Sequence, residues 1–181
     1  GVAFCILALA LWLALDAFGW SGKGSKLGVP KWAPAALLVL VFVQVMFGAL
    51  LAGDHGGVAY TDWPTIGHEW IPSDAFSLKP LLANFTDNHA TQQLMHRTTG
   101  YLVAFSALTI ALLAFFRGDG RARTAGLALG AVTLLQMVLG IVTLVSVTPL
   151  PLALAHQFGA ALLWLTTVAT LRVSGDGMRL Q

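Results

Sequence analysis

The fold of this chain is decided by residues 93–116, which read QLMHRTTGYLVAFSALTIALLAFF. After His96 and Arg97, near its start, the run has no charged residue, and it exceeds the roughly 20 apolar residues that a helix needs to cross a hydrocarbon core. It predicts a transmembrane helix with an imidazole a few residues inside one end. A second apolar run, residues 151–171, holds His156 at a similar position. Two such imidazoles, entering a bilayer from one face on different helices, could hold one iron between them.

Composition extends the membrane prediction to the whole chain. Of its 181 residues, 57% are hydrophobic and 10% are charged, and the mean hydropathy is +0.78. Further apolar runs near spanning length cover residues 2–20, 34–53 and 124–147. We therefore predict an all-α integral membrane protein with five transmembrane helices. The chain starts at Gly1 without the features of a signal peptide, so we expect it to be a piece of a longer protein.

The distribution of charge predicts the orientation in the membrane. Because basic loops stay on the cytoplasmic side, we predict a cytoplasmic linker at 21–33 and a cytoplasmic tail at 173–181. The loop at 54–92 holds five acidic residues against Lys79 and is predicted to be external, as is the N-terminus. The chain has no basic patch with interleaved aromatic residues, so no nucleic-acid partner is predicted. The basic residues assigned to the cytoplasmic side are Lys23, Lys26, Lys31, Arg117, Arg121, Arg123, Arg172 and Arg179.

A weak internal repeat predicts how the helices are arranged. Each copy has one helix with a Gln four residues before a Gly. The next helix has a His three or four residues before a Gly. The copies are Gln44, Gly48, His96 and Gly100, then Gln136, Gly140, His156 and Gly159. Residues three or four apart share a helix face, so each His is expected above a Gly of its own helix. We predict a two-plus-two antiparallel four-helix bundle over residues 34–172, preceded by one helix over residues 1–20.

The repeat is expected to bring its two histidines and four glycines to one level of the bundle. Such a layer suits a flat, iron-containing ligand. Neutral imidazole is a favoured iron ligand, and a pair of them gives the six-coordinate haem used for electron transfer. Helices normally pack about 8–10 Å apart, so a porphyrin between them needs neighbours with little side chain. We therefore predict a haem held by His96 and His156 and lined by the four glycines. Each residue alone has a plainer explanation, since a His near a helix end is often interfacial and glycines mediate close helix packing.

Other polar residues have open interpretations. Arg97 could pair with a haem propionate, because a planar guanidinium recognises carboxylates well, or it could reach the lipid headgroups. Gln44 and Gln136 could bond a ligand edge, although joining helices is the favoured interpretation. The only cysteine, Cys5, excludes an internal disulfide and is predicted to be a buried packing residue of the first helix.

The predicted external loop is too long for a simple connection. Its aromatic and proline residues are expected to lie on the membrane surface, where the loop could cover the exposed edge of the haem. Its histidines match no zinc-binding spacing and are interpreted as surface residues. These histidines are His55, His68 and His89.

The sequence resembles the C-terminal half of haem A synthases over about residues 34–172. The first set of motifs is Gly48-Ala49-Leu50-Leu51-Ala52-Gly53, Trp63-Pro64, Trp70-Ile71-Pro72, Asn84-Phe85 and Ala90-Thr91-Gln92, leading to His96-Arg97. The second set is Gln136 to Gly140, followed by Pro149-Leu150-Pro151-Leu152-Ala153-Leu154-Ala155-His156-Gln157.

The resemblance implies an eight-helix membrane protein made of two four-helix halves. The C-terminal half would hold a haem b between His96 and His156. The other half would bind haem O and oxidise its C8 methyl to the formyl group of haem A, with a glutamate and its own histidines. The only Glu here is Glu69, in the loop, and the cysteine pair that some members carry in this loop is absent. We therefore expect this chain to be the electron-transfer half and assign it no catalytic residue.

The expected surroundings follow from the same resemblance. The bacterial plasma membrane is favoured over the mitochondrial inner membrane, with the haem site toward the outer face. Expected partners are membrane lipid, haem O in the other half, haem O synthase or cytochrome oxidase assembly factors, and a second copy of the chain. Two other classes stay open: a stand-alone b-type cytochrome that exchanges electrons with quinone, and a structural or transporter-like bundle whose histidines only pair with neighbouring helices.

Overall fold

The computed structural model describes residues 1–20 and 26–174, and the regular secondary structure within them is helical, apart from one isolated bridge between Ile66 and Glu69. The all-α prediction is confirmed. A short helix and two single 3-10 turns, Gly56–Val58 and Leu81–Ala83, lie in the long loop. The helices are α1 (Val2–Ala17), α2 (Trp32–Gly53), α3 (Asn84–Asp87), α4 (His89–Arg117), α5 (Gly120–Val145) and α6 (Leu150–Ser174).

Four of these helices, α2, α4, α5 and α6, are long and apolar enough to cross a membrane. The predicted fifth span is not confirmed, because α1 has 16 residues and a length of about 24 Å, against about 30 Å of hydrocarbon. Cys5 on α1 is exposed, so its prediction as a buried residue is wrong. This helix is apolar all round, and one side of it must face lipid.

The four long helices form a closed ring in the order α2, α4, α5, α6, and α1 packs on the outside of α6. Small residues bring α4 and α5 together: a methyl group added to Gly126 would collide with Ala114, and one added to Gly130 would lie 2.7 Å from Ala111 Cβ. The ring order places α4 opposite α6. Close approach through small residues is how helices associate in a membrane, where burial of apolar surface gives little driving force.

The basic segments, which are the linker before α2, the α4–α5 connection and the end of α6, lie at one end of the ring. The Asp119 carboxylate accepts from the Lys26 N–H at 2.7 Å, which joins the linker to the α4–α5 connection. Arg121 donates to the Gly19 carbonyl at 2.6 Å, and Arg172 pairs with Asp16. The described basic residues of all three segments therefore lie at the same end. Lys23, Arg179 and the predicted tail beyond Ser174 fall outside the described residues.

The outer surface of the ring is apolar. Many large hydrophobic side chains within the spans are exposed, and several have more than half of their surface accessible. An apolar exterior of this extent is unfavourable in water and favourable against lipid chains, so it agrees with the transmembrane prediction. Examples are Val39, Phe105, Leu112, Phe116, Leu134 and Phe158.

At the other end, α4 begins at His89, inside the segment predicted as loop 54–92. Asn88 caps it: its side-chain oxygen accepts from the Thr91 N–H at 3.0 Å. This cap starts α4 seven residues before His96. The first 3-10 turn then reaches the α5–α6 connection, since a methyl group on Gly57 would lie 3.0 Å from Thr148 Cγ2. The loop at 54–92 therefore lies across this end of the ring.

We expect Gly126→Ala to lower the stability of the bundle, because the new methyl group has no room against α4. Overpacking of this kind costs about 1–3 kcal/mol. Gly53→Ala is the matched control, because no atom lies within 4 Å of the position of its added methyl group. Thermal unfolding in detergent should show a lower midpoint for Gly126→Ala and an unchanged or slightly higher one for Gly53→Ala. Equal midpoints for the two variants would contradict the close α4–α5 contact.

Candidate functional site

His96 and His156 lie at the same end of the ring, near the beginnings of α4 and α6. From the first helical residues, His89 and Leu150, the rise of 1.5 Å per residue puts them about 10 and 9 Å along their helices. Both side chains are half-buried. The two imidazoles stand on opposite helices of the ring.

In the first copy of the repeat, α2 and α4 each pack a polar side chain against a glycine of the other helix. A methyl group on Gly48 of α2 would lie 3.0 Å from His96 Cε1, so the imidazole of α4 rests against this glycine. In return, a methyl group on Gly100 of α4 would lie 3.1 Å from Gln44 Nε2. The amide and the imidazole also touch each other, with Gln44 Nε2 3.1 Å from His96 Nδ1. Each helix therefore offers a glycine to the polar side chain of the other.

The second copy has the same arrangement on α5 and α6. A methyl group on Gly140 would lie 2.9 Å from His156 Cε1, and one on Gly159 would collide with Gln136 Oε1. Here the Gln136 amide donates to the His156 backbone carbonyl at 3.0 Å, and its distance to the ring Nε2 is 3.5 Å. The repeat seen in the sequence is thus a repeat of side-chain contacts between neighbouring helices.

The four glycines of the repeat, Gly48, Gly100, Gly140 and Gly159, therefore have specific neighbours. The sequence placed each His beside a Gly of its own helix, whereas in the structure each His rests against a Gly of the facing helix. The role of these glycines in making room for a porphyrin stays a prediction. The favoured interpretation of the two glutamines, that they join helices, agrees with these contacts.

The two copies differ in how the glutamine is held. In the first, the Thr99 hydroxyl bonds Gln44 Oε1 and also the Met95 carbonyl, at 2.7 Å to the latter. In the second, the residue three after His156 is a glycine, and Gln136 Oε1 and His156 Nδ1 are buried without a hydrogen-bond partner in the described part of the chain. Sequence reasoning missed Thr99, because a threonine in a transmembrane helix usually bonds only its own backbone.

Arg97 is turned toward the loop at 54–92. Its Nη1 donates to the carbonyl oxygens of Asp62 and Thr65, at 2.9 and 2.7 Å. Its Nη2 donates to the Tyr60 carbonyl at 3.3 Å and to Gln93 Oε1. These four bonds use all the Nη hydrogens, so a propionate contact would require the Nε hydrogen or the exchange of one loop partner.

Gln93, one turn before Arg97, holds the same part of the loop. Its side chain is fully buried, and its amide donates to the Gly56 and Tyr60 carbonyls, both at 2.9 Å. Two polar side chains of α4 thus hold the irregular backbone between residues 56 and 65 over the end of the ring. Sequence reasoning did not single out Gln93, whose importance depends on contacts more than 30 positions away.

The loop segment bonded to Arg97 is closed by Asp62. This carboxylate accepts from the Thr65 hydroxyl at 2.6 Å, from the Gly67 N–H at 2.8 Å and from the His68 N–H at 3.0 Å. These donors, the Thr65 hydroxyl first, hold the pKa of Asp62 well below its usual range. Asp62 therefore remains a carboxylate, satisfied within the loop, at neutral and mildly acidic pH.

The loop histidines lie apart from the His96 and His156 layer. His89 Nε2 is 2.8 Å from Asp54 Oδ2, and this pair joins the end of α2 to the start of α4 on the surface. His55 and His68 occupy turns with positive φ. Within residues 1–20 and 26–174, no group of three or more His, Cys, Asp or Glu side chains could hold a metal ion.

His96 and His156 themselves fit a haem by the chemistry of their donors. Two imidazoles are a complete axial set for one iron, and no third protein ligand is needed. One of them, His156, has a buried Nδ1 without a partner in the described residues, so this nitrogen is not committed to a protein hydrogen bond. The same residues are the only histidines placed within the transmembrane helices away from the loop.

The sequence matches the family described as cytochrome oxidase assembly protein over residues 1–168. Among curated relatives, the Heme A synthase of Paracoccus denitrificans is 38% identical over 169 residues, which cover 91% of this chain and 44% of the relative. That of Methylobacterium radiotolerans is 42% identical over 178 residues, with 92% and 48% covered. That of Roseobacter denitrificans is 34% identical over 181 residues, with 97% and 47% covered.

No solved structure matches the chain. The chain spans about half the length of the curated relatives that it matches. The match nevertheless extends over almost all of its own length, across all four transmembrane helices and the long loop. The resemblance read from the motifs around His96 and His156 is therefore confirmed, and the chain belongs to the cytochrome oxidase assembly family that includes the heme A synthases.

Proposed function

We propose that this chain is the C-terminal, haem b-binding half of a haem A synthase. The observation that carries the proposal is the pair of half-buried imidazoles, His96 and His156, on opposite helices at one end of the ring. The family membership supports it, because the relatives are named Heme A synthase. A bound haem b would supply one-electron redox chemistry.

The chain's own residues have distinct tasks in this proposal. His96 and His156 would hold the haem iron, and the glycines of the repeat let the helices that carry them approach their neighbours. A surrounding of apolar helices keeps water away from both imidazoles. The external loop, held by Arg97 and Gln93, covers the end of the ring where both helices begin. The arrangement suits transfer of single electrons better than binding of a small substrate.

For the whole protein, we propose the oxidation of the C8 methyl of haem O to the formyl of haem A, for cytochrome oxidase assembly. This chain would relay electrons from that oxidation, and haem O would bind in the other half. The only Glu in the chain, Glu69, belongs to the external loop, so we assign the oxidation to residues outside this chain. Proposed partners are lipid, haem O synthase or oxidase assembly factors, and a second copy of the chain.

We expect His96→Leu and His156→Leu each to abolish the low-spin haem b signal of this half. Removing one axial imidazole leaves a five-coordinate or empty site. His89→Leu is the matched control, since His89 lies on the same helix as His96 but pairs with Asp54 at the surface. The measurement is the optical and pyridine haemochrome spectrum of the purified full-length protein. Unchanged spectra in both of the first two variants would exclude this pair as ligands.

We propose that the protein lies in the bacterial plasma membrane with its N-terminus and the 54–92 loop outside. The basic segments, which share one end of the ring, would be cytoplasmic. Cys5→Ser removes the only cysteine of this chain, and any cysteine elsewhere in the full-length protein is replaced by Ser as well. In intact spheroplasts, a membrane-impermeant thiol reagent should label Trp70→Cys and not Arg121→Cys. External labelling at position 121 would contradict the orientation.

We keep the proposal that Arg97 neutralises a haem propionate, and its test must separate this role from holding the loop. Loss of a charge-assisted bond should weaken haem retention by about 1–3 kcal/mol in Arg97→Gln. Arg97→Lys should recover only part, because Lys cannot make the bidentate contact. Haem retention and hydrogen exchange of residues 60–65 are measured together. Faster exchange in the loop with unchanged haem retention would leave Arg97 as a loop anchor and end its propionate role.

A further inference from the structure

We propose that Gln44, fixed by Thr99, is a positioning residue that sets the tautomer and orientation of His96, and that His156 has no equivalent support. The two axial ligands of the proposed haem would then be unequal. This inference rests on the proposed function, since it concerns the hydrogen bonding of a residue that we assign as an iron ligand. It assigns to Gln44 more than the joining of two helices.

The first step concerns the protons of the imidazole. An imidazole that binds iron through Nε2 must carry its proton on Nδ1, and that N–H needs an acceptor. Gln44 Nε2 lies 3.1 Å from His96 Nδ1, at hydrogen-bond distance, and 3.4 Å from His96 Nε2, so Nδ1 is the nearer ring nitrogen. An amide has both a donor end and an acceptor end of nearly the same shape, so Gln44 can present its oxygen at this position without changing the packing.

The second step concerns Thr99, whose hydroxyl decides which orientation of the Gln44 amide has all its hydrogen bonds formed. The Thr99 hydroxyl has one proton, and the Met95 carbonyl is an acceptor for it at 2.7 Å. If the Gln44 oxygen faces His96, the amide nitrogen faces Thr99 and donates to its hydroxyl oxygen. The chain of donors then runs without conflict from His96 Nδ1–H to Gln44, to Thr99 and to the Met95 carbonyl. The orientation in the structure has Gln44 Nε2 toward His96 and Gln44 Oε1 toward Thr99, so it asks one hydroxyl proton to serve two acceptors; our proposal reverses this amide.

The third step is the comparison with the second copy of the repeat. Gln136 donates to the backbone carbonyl of His156, at 3.0 Å, and its oxygen has no partner in the described residues. His156 Nδ1 is likewise buried without a partner there. The position that corresponds to Thr99 is Gly159, which has no hydroxyl. Gln136 Nε2 is 3.5 Å from His156 Nε2 and makes no bond to Nδ1, so the Nδ1 contact and the hydroxyl found beside His96 are missing beside His156.

A hydrogen bond from Nδ1–H to an acceptor makes an imidazole a stronger electron donor to its metal. This stabilises the oxidised iron, so loss of the bond should raise the midpoint potential of the haem. A glutamine that only joins helices would affect stability and haem content without this shift. The midpoint potential therefore separates positioning from a purely structural role.

The experiment uses the haem-loaded full-length protein and matched pairs of variants. Gln44→Met keeps the length of the side chain and removes its hydrogen bonds, and Gln136→Met makes the same change in the other copy. For Gln44→Met we expect a more positive midpoint potential and altered g values of the low-spin electron paramagnetic resonance signal. For Gln136→Met we expect a clearly smaller change in both. Thr99→Val should shift the potential in the same direction as Gln44→Met, and Thr99→Ser, which restores the hydroxyl, should return it toward wild type.

Equal shifts in Gln44→Met and Gln136→Met, or no shift in either, would overturn the inference while leaving bis-histidine ligation intact. If Gln44→Met does not fold, the Thr99→Val and Thr99→Ser pair carries the test, and equal potentials for these two would also overturn it. Failure of the proposed function looks different: the wild-type protein would hold no haem b, or it would keep its spectrum in both histidine variants.

Discussion

The structure depends on a pair of reciprocal contacts between neighbouring helices. The histidine of one helix and the glutamine of the other each pack against a glycine of the facing helix. In a membrane, apolar burial does not drive helices together, so close backbone approach and polar contacts must do so. Gly48 receives His96 while Gly100 receives Gln44, and this exchange fixes the axial and rotational register of α2 against α4. The same exchange fixes α5 against α6. The small residues between α4 and α5 then join the two pairs into one ring.

In the loop at 54–92, backbone carbonyls just beyond the transmembrane spans find hydrogen-bond partners in side chains of α4. Its irregular segments could not exist in hydrocarbon, where unpaired carbonyls are costly, yet they lie directly over the ends of transmembrane helices. Amide and guanidinium side chains solve this: Gln93 and Arg97 of α4 bond the carbonyls between residues 56 and 65, while Asn88 caps the helix and bonds the Asp74 carbonyl at 2.9 Å. The loop is therefore part of the same folded unit as the ring.

The sequence predicts the helices well and their partners poorly, for physical reasons. Long apolar runs and the cap before α4 are local signals, so helices and the depth of His96 and His156 could be located from them. The length of α1 differs because the apolar run continues past Ala17, where the helix ends. The neighbours of Gly48 could not be found, since spacing along one helix shows which face a residue occupies and not what faces it. The loop partners of Arg97 could not be found for the same reason, because they lie more than 30 residues away, and its contact with a propionate stays a prediction.

The spacing between histidine and glycine explains why two similar copies can act differently. The glycine that receives the glutamine is four residues after His96 but three residues after His156. One residue rotates a position by about 100° around the helix, so the two glutamines approach their histidines from different directions. Gln44 meets the ring edge of His96, whereas Gln136 meets the backbone carbonyl of His156. The one-residue difference also puts Thr99 where the second copy has a glycine. A repeat that is symmetric in its helices is therefore asymmetric at the atoms next to the two imidazoles, which is where the properties of a bound iron would be set.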